Sequence, residues 1–319
     1  MKIKDLYELI VKKGIENDPR GKEAVLKVLK RVSNDYEKLR DEEKKEFDKE
    51  KLINPYTDTR VLNGDLNLDV KRVIVGIDIE VAEVLLTDRI SDKNGKIDLI
   101  LGHHPLGKAF ANFYEVMGMQ ADILCKFGVP INVAESTLSP RIKEVERKVL
   151  PLNHMRTVDA ARLMDIPLMC AHTVADNFVV TYLQSLVDTK KPETLKDVIN
   201  ILKEIPEYAY ALSNNAGPRI IVGNDSNRVG KIFVDMTGGT EGAKEVYEKI
   251  SQAGVGTIIG MHFSEEHKKE MEKCHINVIV AGHISSDSLG LNLLLDEVLK
   301  AEGINIVPCS GFYRVSRTC

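Results

Sequence analysis

No window of the sequence approaches the roughly 18 uninterrupted apolar residues that a bilayer-spanning helix requires. The opening MKIKDLYELIVKKG places charges where a secretory leader would need an apolar core, so a cytoplasmic protein with no membrane partner is expected. Charge of one predominant sign is also lacking. Its 44 basic and 48 acidic residues leave a formal net charge of -4, which gives no overall electrostatic reason for a nucleic-acid partner. Cys125, Cys170, Cys274, Cys309 and Cys319 are odd in number, scattered, and free of any C-x-x-C pair. That argues against a disulfide framework and against a thiolate zinc site, and reduced, mostly buried thiols are expected.

What is present suits a folded chain: 319 residues, 43% hydrophobic and 29% charged, are enough for one large or two ordinary domains. Residues 1 to about 53 are rich in Lys, Glu, Asp and Leu, with Leu6, Ile10, Val11 and then Val25, Val28, Leu29, Val32 at helical spacing. This predicts a helical N-terminal extension over residues 1–60, to which no chemistry is assigned, ending in a turn-rich link at Asn54–Arg60. From Val70 onward, short β-branched runs alternate with amphipathic stretches. Val73–Ile77, Ile97–Leu101, Pro167–Ala171, Ile220–Val222, Lys231–Asp235, Thr257–Gly260 and Asn277–Ala281 read as buried strands, and Glu241–Gln252 and Leu289–Lys300 as helices. Residues 111–165 read as mostly helical, and 189–216 as a connector with one helix, Leu195–Leu202. The class is α/β, with largely parallel strands covered on both faces.

Chemistry gathers where the strands end. His103, His104, His172, His262 and His283, five of the eight histidines, each follow a predicted strand. The C-terminal edge of such strands is where ligands bind in open α/β sheets. In His172-Thr-Val-Ala-Asp176 and His283-Ile-Ser-Ser-Asp287 a carboxylate follows four residues on, so histidine and aspartate can face one centre if a helix begins at the turn. Imidazole and carboxylate without thiolate suit Zn, Mn, Fe, Co or Ni. Adjacent His103 and His104 point apart in a regular strand but could each serve one of two neighbouring ions at a strand end, which favours a dinuclear centre. His154, His267 and His275 are expected to be structural or exposed, and Cys170 a buried thiol. Asp78 could either hold a histidine or cap the following helix. The run Asp235-Met-Thr-Gly238-Gly239-Thr-Glu-Gly242 could hold an anion on backbone amides at the start of a helix near Ala243, although it matches neither the P-loop nor the dinucleotide pattern.

Gly102-His103-His104-Pro105-Leu106, Ala171-His172-Thr-Val-Ala-Asp176 and Ala281-Gly282-His283-Ile-Ser-Ser-Asp287, in that order, resemble the Nif-three-like family, whose members are often labelled GTP cyclohydrolase I type-two homologues. The likeness covers roughly residues 70–182 and 217–319. It implies two intertwined α/β halves, here 61–188 and 189–319, with the site in the cleft between them. It further implies two divalent metal ions held by His103, His104, Asp176, His283 and Asp287 with His172 beside them, and a homohexamer built from dimers. Gly238 and Gly239 resemble the family's glycine turn, a substrate-binding element. Asp287 stands where the family usually has Glu, the stretch between His104 and His172 is longer than usual, and His262 replaces a Thr-Gly-acidic turn. The expected function is a metal-dependent hydrolase of a phosphorylated or nucleotide-like small molecule in the cleft, with His172 or His262 as general acid or base. The alternative is a non-catalytic, ring-forming metal-binding scaffold acting through protein partners. A DHH-type phosphoesterase fits less well, since Gly102 and not Asp precedes the histidine pair.

Overall fold

The computed structural model describes residues 1–299 and 303–317. Two sheets organise it. In the first, β2 (Arg72–Gly76), β3 (Leu99–Gly102) and β4 (Leu168–Ala171) run parallel, β1 (Thr59–Asn63) is antiparallel to β4 at one edge, and β9 (Asn305–Cys309) is parallel to β2 at the other. The second has the order β5-β8-β7-β6, with β5 (Arg219–Val222) antiparallel to β8 (Asn277–Val280) and β7 (Val255–Gly260) and β6 (Lys231–Asp235) parallel to it. Each sheet thus has one antiparallel edge strand beside a parallel set. The recurring strand-then-histidine pattern is the trace of this shared order.

Helices separate and cover the sheets. Between them lie α1 (Ile3–Glu16), α9 (Thr173–Lys190) and α14 (His283–Val298). On β2, Val73 and Val75 face this middle layer, while Ile74 points the other way, onto α4 (Val81–Asn94) and α8 (Arg156–Leu163). The outer face of the second sheet is covered by α6 (Met119–Phe127), α7 (Ile131–Val149), α12 (Val246–Gln252) and α13 (Glu265–Lys273). Because α9 is enclosed on all sides, residues Thr173–Val180 are all buried. α2 (Lys22–Lys38) and α3 (Asp41–Glu46) continue the N-terminal segment, and α5 (Gly107–Ala111) follows the histidine pair.

The structure corrects several expectations. The 189–216 connector holds two helices, α10 (Leu195–Lys203) and α11 (Pro206–Ser213). The helix expected at Leu289–Lys300 opens six residues earlier, at His283, and Lys300 lies outside the described residues. β1 was expected as link and β9 as no element. Of the thiols, Cys170 is buried, Cys274 and Cys309 are half-buried, Cys125 is exposed, and Cys319 lies outside the described residues; the four described ones are free. Among the described residues no helix is long and apolar enough to cross a membrane.

Candidate metal centre and its cavity

The central helices build the site. α9 and α14 both start within a residue of their histidines, so one helical turn brings Asp176 under His172 and Asp287 under His283. The Nε2–carboxylate separations are 3.7 Å and 3.5 Å. From the first sheet, His103 Nε2 comes to 3.4 Å from Asp176 Oδ1 and 3.5 Å from Asp287 Oδ1, while His104 Nε2 lies 3.5 Å from Asp287 Oδ2. All five sequence-predicted ligands and His172 therefore meet. Three overlapping groups have donor atoms within 4.8 Å of one another: His103, His104 and His172; His104, His283 and Asp287; His103, Asp176 and Asp287.

A second ring of contacts aims the imidazoles. Nδ1–H of His103 donates to the Ala171 carbonyl at 3.2 Å, that of His104 to Asp78 at 2.6 Å, and that of His172 to Asp58 at 2.8 Å. Each Nε2 is left to face the cluster. Asp78 thus holds a histidine, and the N-cap of α4 is Glu80. Asp58 was missed in the sequence, where it sits in a stretch read as a link. The antiparallel register of β1 on β4 pairs Thr59 with Ala171, which sets Asp58 beside His172. Fully buried, it also accepts from Thr173 Oγ1 at 2.5 Å.

Electrostatics set this cluster apart from an ordinary buried network. Burial acts to lower the His103 pKa, but Asp287 and Asp176 outweigh it and carry it up to about 10. Burial likewise opposes, and Asp176 and Asp58 reverse, the shift at His172, which is raised. Asp287 is held far below the usual carboxylate range: burial pushes it up, and His103, His104 and His283 more than compensate. His283 is lowered, chiefly by burial. Among the described residues, the buried side-chain atoms without a hydrogen-bond partner are His103 Nε2, Asp176 Oδ1 and both carboxylate oxygens of Asp287. Buried polar atoms are normally satisfied, so four orphans at one point, all of them good donors to a borderline divalent cation, fit a metal centre.

Beside the cluster lies a cavity of about 340 Å³, lined by His104, His172, Asp176 and His283 at the metal end. His262 also lines it, 4.7 Å from the His283 ring and 3.9 Å from Glu241, but falls outside the three metal-capable groups. Gly239 borders the cavity, whereas Gly238 backs onto Gln120, whose amide donates to the carbonyls of Gly238 and Thr240. Both glycines have positive φ, and a β-carbon on Gly238 would stand 2.7 Å from Gln120 Cγ. The following helix starts at Val246 and has seven residues, so the expected anion site at a helix start near Ala243 does not form. The long segment between His104 and His172 walls the cavity with Phe110 and Phe113.

The N-terminal segment, expected to be without chemistry, reaches the cavity through a buried relay. Thr237 donates to Asn177, which donates to Tyr56, which donates to Asp18, itself paired with Arg20. His154 and His267 are held by backbone carbonyls and His275 is exposed, as expected.

No protein-family model and no curated protein sequence matches the chain. Among solved structures, a NIF3 superfamily protein from Sphaerobacter thermophilus superposes with a TM-score of 0.70 at 29% identity, over 80% of this chain and 91% of that one. Reduced HcgD from Methanocaldococcus jannaschii aligns over 79% and 88% with a TM-score of 0.50 and 15% identity, a likeness of fold alone. With the chain's three histidine motifs brought together in the same architecture, the likeness to the NIF3 superfamily protein supports a Nif3-like family assignment for the chain.

Proposed function

We propose that the chain is a dinuclear-metal-dependent hydrolase of a small molecule bound in the cavity. His103, Asp176 and Asp287 would hold one ion and His104, His283 and Asp287 the other, Asp287 being common to both groups. When bound, two divalent ions of the Zn, Mn, Fe, Co or Ni kind supply Lewis-acid activation of water and stabilise negative charge developing on the substrate. The chain's own groups do the rest. Asp58 fixes His172 with Nδ1 protonated, so that Nε2 can take or give a proton at the cavity wall. His262, half in solvent with Glu241 behind it, is the second candidate acid or base. Phe110, Phe113, Met236 and Met261 give the cavity apolar wall.

The observation that carries this reading is the access of the cavity to the cluster: His104, His172, Asp176 and His283 belong to both. A scaffold can keep its metals fully enclosed, so this opening favours the enzyme over the ring-forming scaffold. A phosphorylated or nucleotide-like substrate would meet the ions and the Gly239 turn, since no Lys or Arg lines the cavity among the described residues. The reading includes a homohexamer of dimers in the cytoplasm. Its test is a screen of phosphoester and nucleotide hydrolysis with Mn-, Fe- or Zn-loaded protein. Turnover lost in Asp287→Asn supports it, and no turnover from fully loaded protein returns the scaffold reading.

A further inference from the structure

The second sheet presents its cavity residues in strand order. His283 follows β8, His262 follows β7, and Asp235 ends β6, so the three stand on neighbouring strand ends leading away from the cluster. With strands roughly 4.8 Å apart, Asp235 lies about 10 Å from the metal end. Its side chain makes no hydrogen bond or ion pair with any described residue, although it is half-buried and borders the cavity. Glu241 is close enough to repel it. Tyr247, only 3% exposed, lines the same space, and its hydroxyl makes no hydrogen bond among the described residues. The cavity also presents apolar wall from Phe110, Phe113, Met236 and Phe263, with the first two rings stacked at 5.4 Å, beside Thr237, Thr240 and Glu241.

A carboxylate drawn partly out of water without a partner costs free energy that a ligand completing it would recover. What completes two parallel carboxylate oxygens is a pair of N–H donors, and what fills the space between aromatic and methionine walls is a flat apolar body. We propose that Asp235, with Tyr247, is the specificity-determining group of this cavity and that it grips the paired N–H edge of a planar ligand, an amidine or an aminopyrimidinone, whose other end reaches the metal centre. This rests on the hydrolase reading for the role of the metal end, but the grip itself does not require metal. Burial and Glu241 push the Asp235 carboxyl up to about 6, which leaves it charged at neutral pH and repelled until a donor arrives.

The test is calorimetric titration of full-length protein, as purified and after chelator treatment, with benzamidinium, isocytosine and benzoate. Benzamidinium or isocytosine should bind, benzoate at the same concentrations should bind at least about tenfold more weakly, and Asp235→Asn should weaken the binding about tenfold or more. Tyr247→Phe, which keeps the ring, should weaken it severalfold and serves if the Asp235 variant does not fold. Binding of benzamidinium alone would assign a cationic donor pair, and of isocytosine alone a neutral heterocycle edge. Failure of both probes, or wild-type affinity in Asp235→Asn, overturns the proposal. Probe binding by protein that holds no metal as purified and takes up no added Mn, Fe or Zn would sink the hydrolase reading and leave this one standing; metal-loaded protein that binds no probe would do the reverse.

Discussion

A β-carbon on Gly290 of α14 would stand 2.5 Å from the carbonyl oxygen of Ala175 on α9. Ala175 adjoins Asp176, and Gly290 lies one turn beyond Asp287, so this close crossing sets the distance between the two His-Asp pairs. It is also why both helices can be buried side by side between two sheets.

Gly290→Ala therefore forces the two helices apart. Overpacking of this kind costs about 1–3 kcal/mol, and a melting temperature lower by a few degrees is expected. Metal retention should fall with it, although no ligand has changed. Wild-type melting and metal content would contradict this account of the crossing.

Asp58 is the counterpart of this spacing on the β1 side. Asp58→Ala leaves the His172 and Thr173 donors buried without an acceptor, for a loss of about 2–4 kcal/mol. Asp58→Asn keeps one acceptor oxygen and should cost less in stability, yet lower turnover of the metal-loaded protein about 10-fold or more through misaimed His172. Chemical denaturation and turnover of both variants check this; wild-type turnover in Asp58→Asn would deny Asp58 an orienting role.

Asp235 makes stability depend on pH. Its carboxyl is raised to about 6 in the folded chain, against about 3.9 when unfolded. Between these values the folded chain keeps a proton that the unfolded chain has lost, so stability falls as pH rises from about 4 to 6 and then levels. Asp235→Asn should be more stable than wild type by about 1–3 kcal/mol at pH 8, with the difference gone by pH 4. Denaturation midpoints at the two pH values measure it, and a difference independent of pH would refute it.

Much of the site could be read from the sequence because its histidines follow hydrophobic strands directly, and strand ends converge wherever the sheet is parallel. His172-Asp176 and His283-Asp287 needed only the start of a helix, which both turns supply. Asp58 was illegible for the opposite reason. It enters through an antiparallel edge strand whose partner lies about 110 residues away, and Thr59, Arg60 and Asn63 do not carry the apolar alternation of a core strand. β9 is hidden similarly: Pro308 reads as a break, and only its place at a sheet edge accommodates it. The glycine turn misled because positive-φ glycines serve close packing as readily as anion binding. Here Gln120, from a helix beyond the histidine pair, explains Gly238.

Asp287 is the carboxylate common to two donor groups, as His103 and His104 are the histidines common to two. It belongs to two of the three donor groups, whereas Asp176 belongs to one. Asp176→Ala should therefore leave one ion per chain and Asp287→Ala none, and the reverse ranking would make Asp176 the shared ligand.

The central claim is tested most directly by counting first-row metal per chain, by mass spectrometry, in full-length protein purified without chelator beside His104→Ala and His283→Ala. The account predicts two ions in the wild type and a loss in each variant, although the two residues come from different sheets. Wild-type protein that holds no metal and takes up no added Mn, Fe or Zn would contradict it, as would full metal content in both variants.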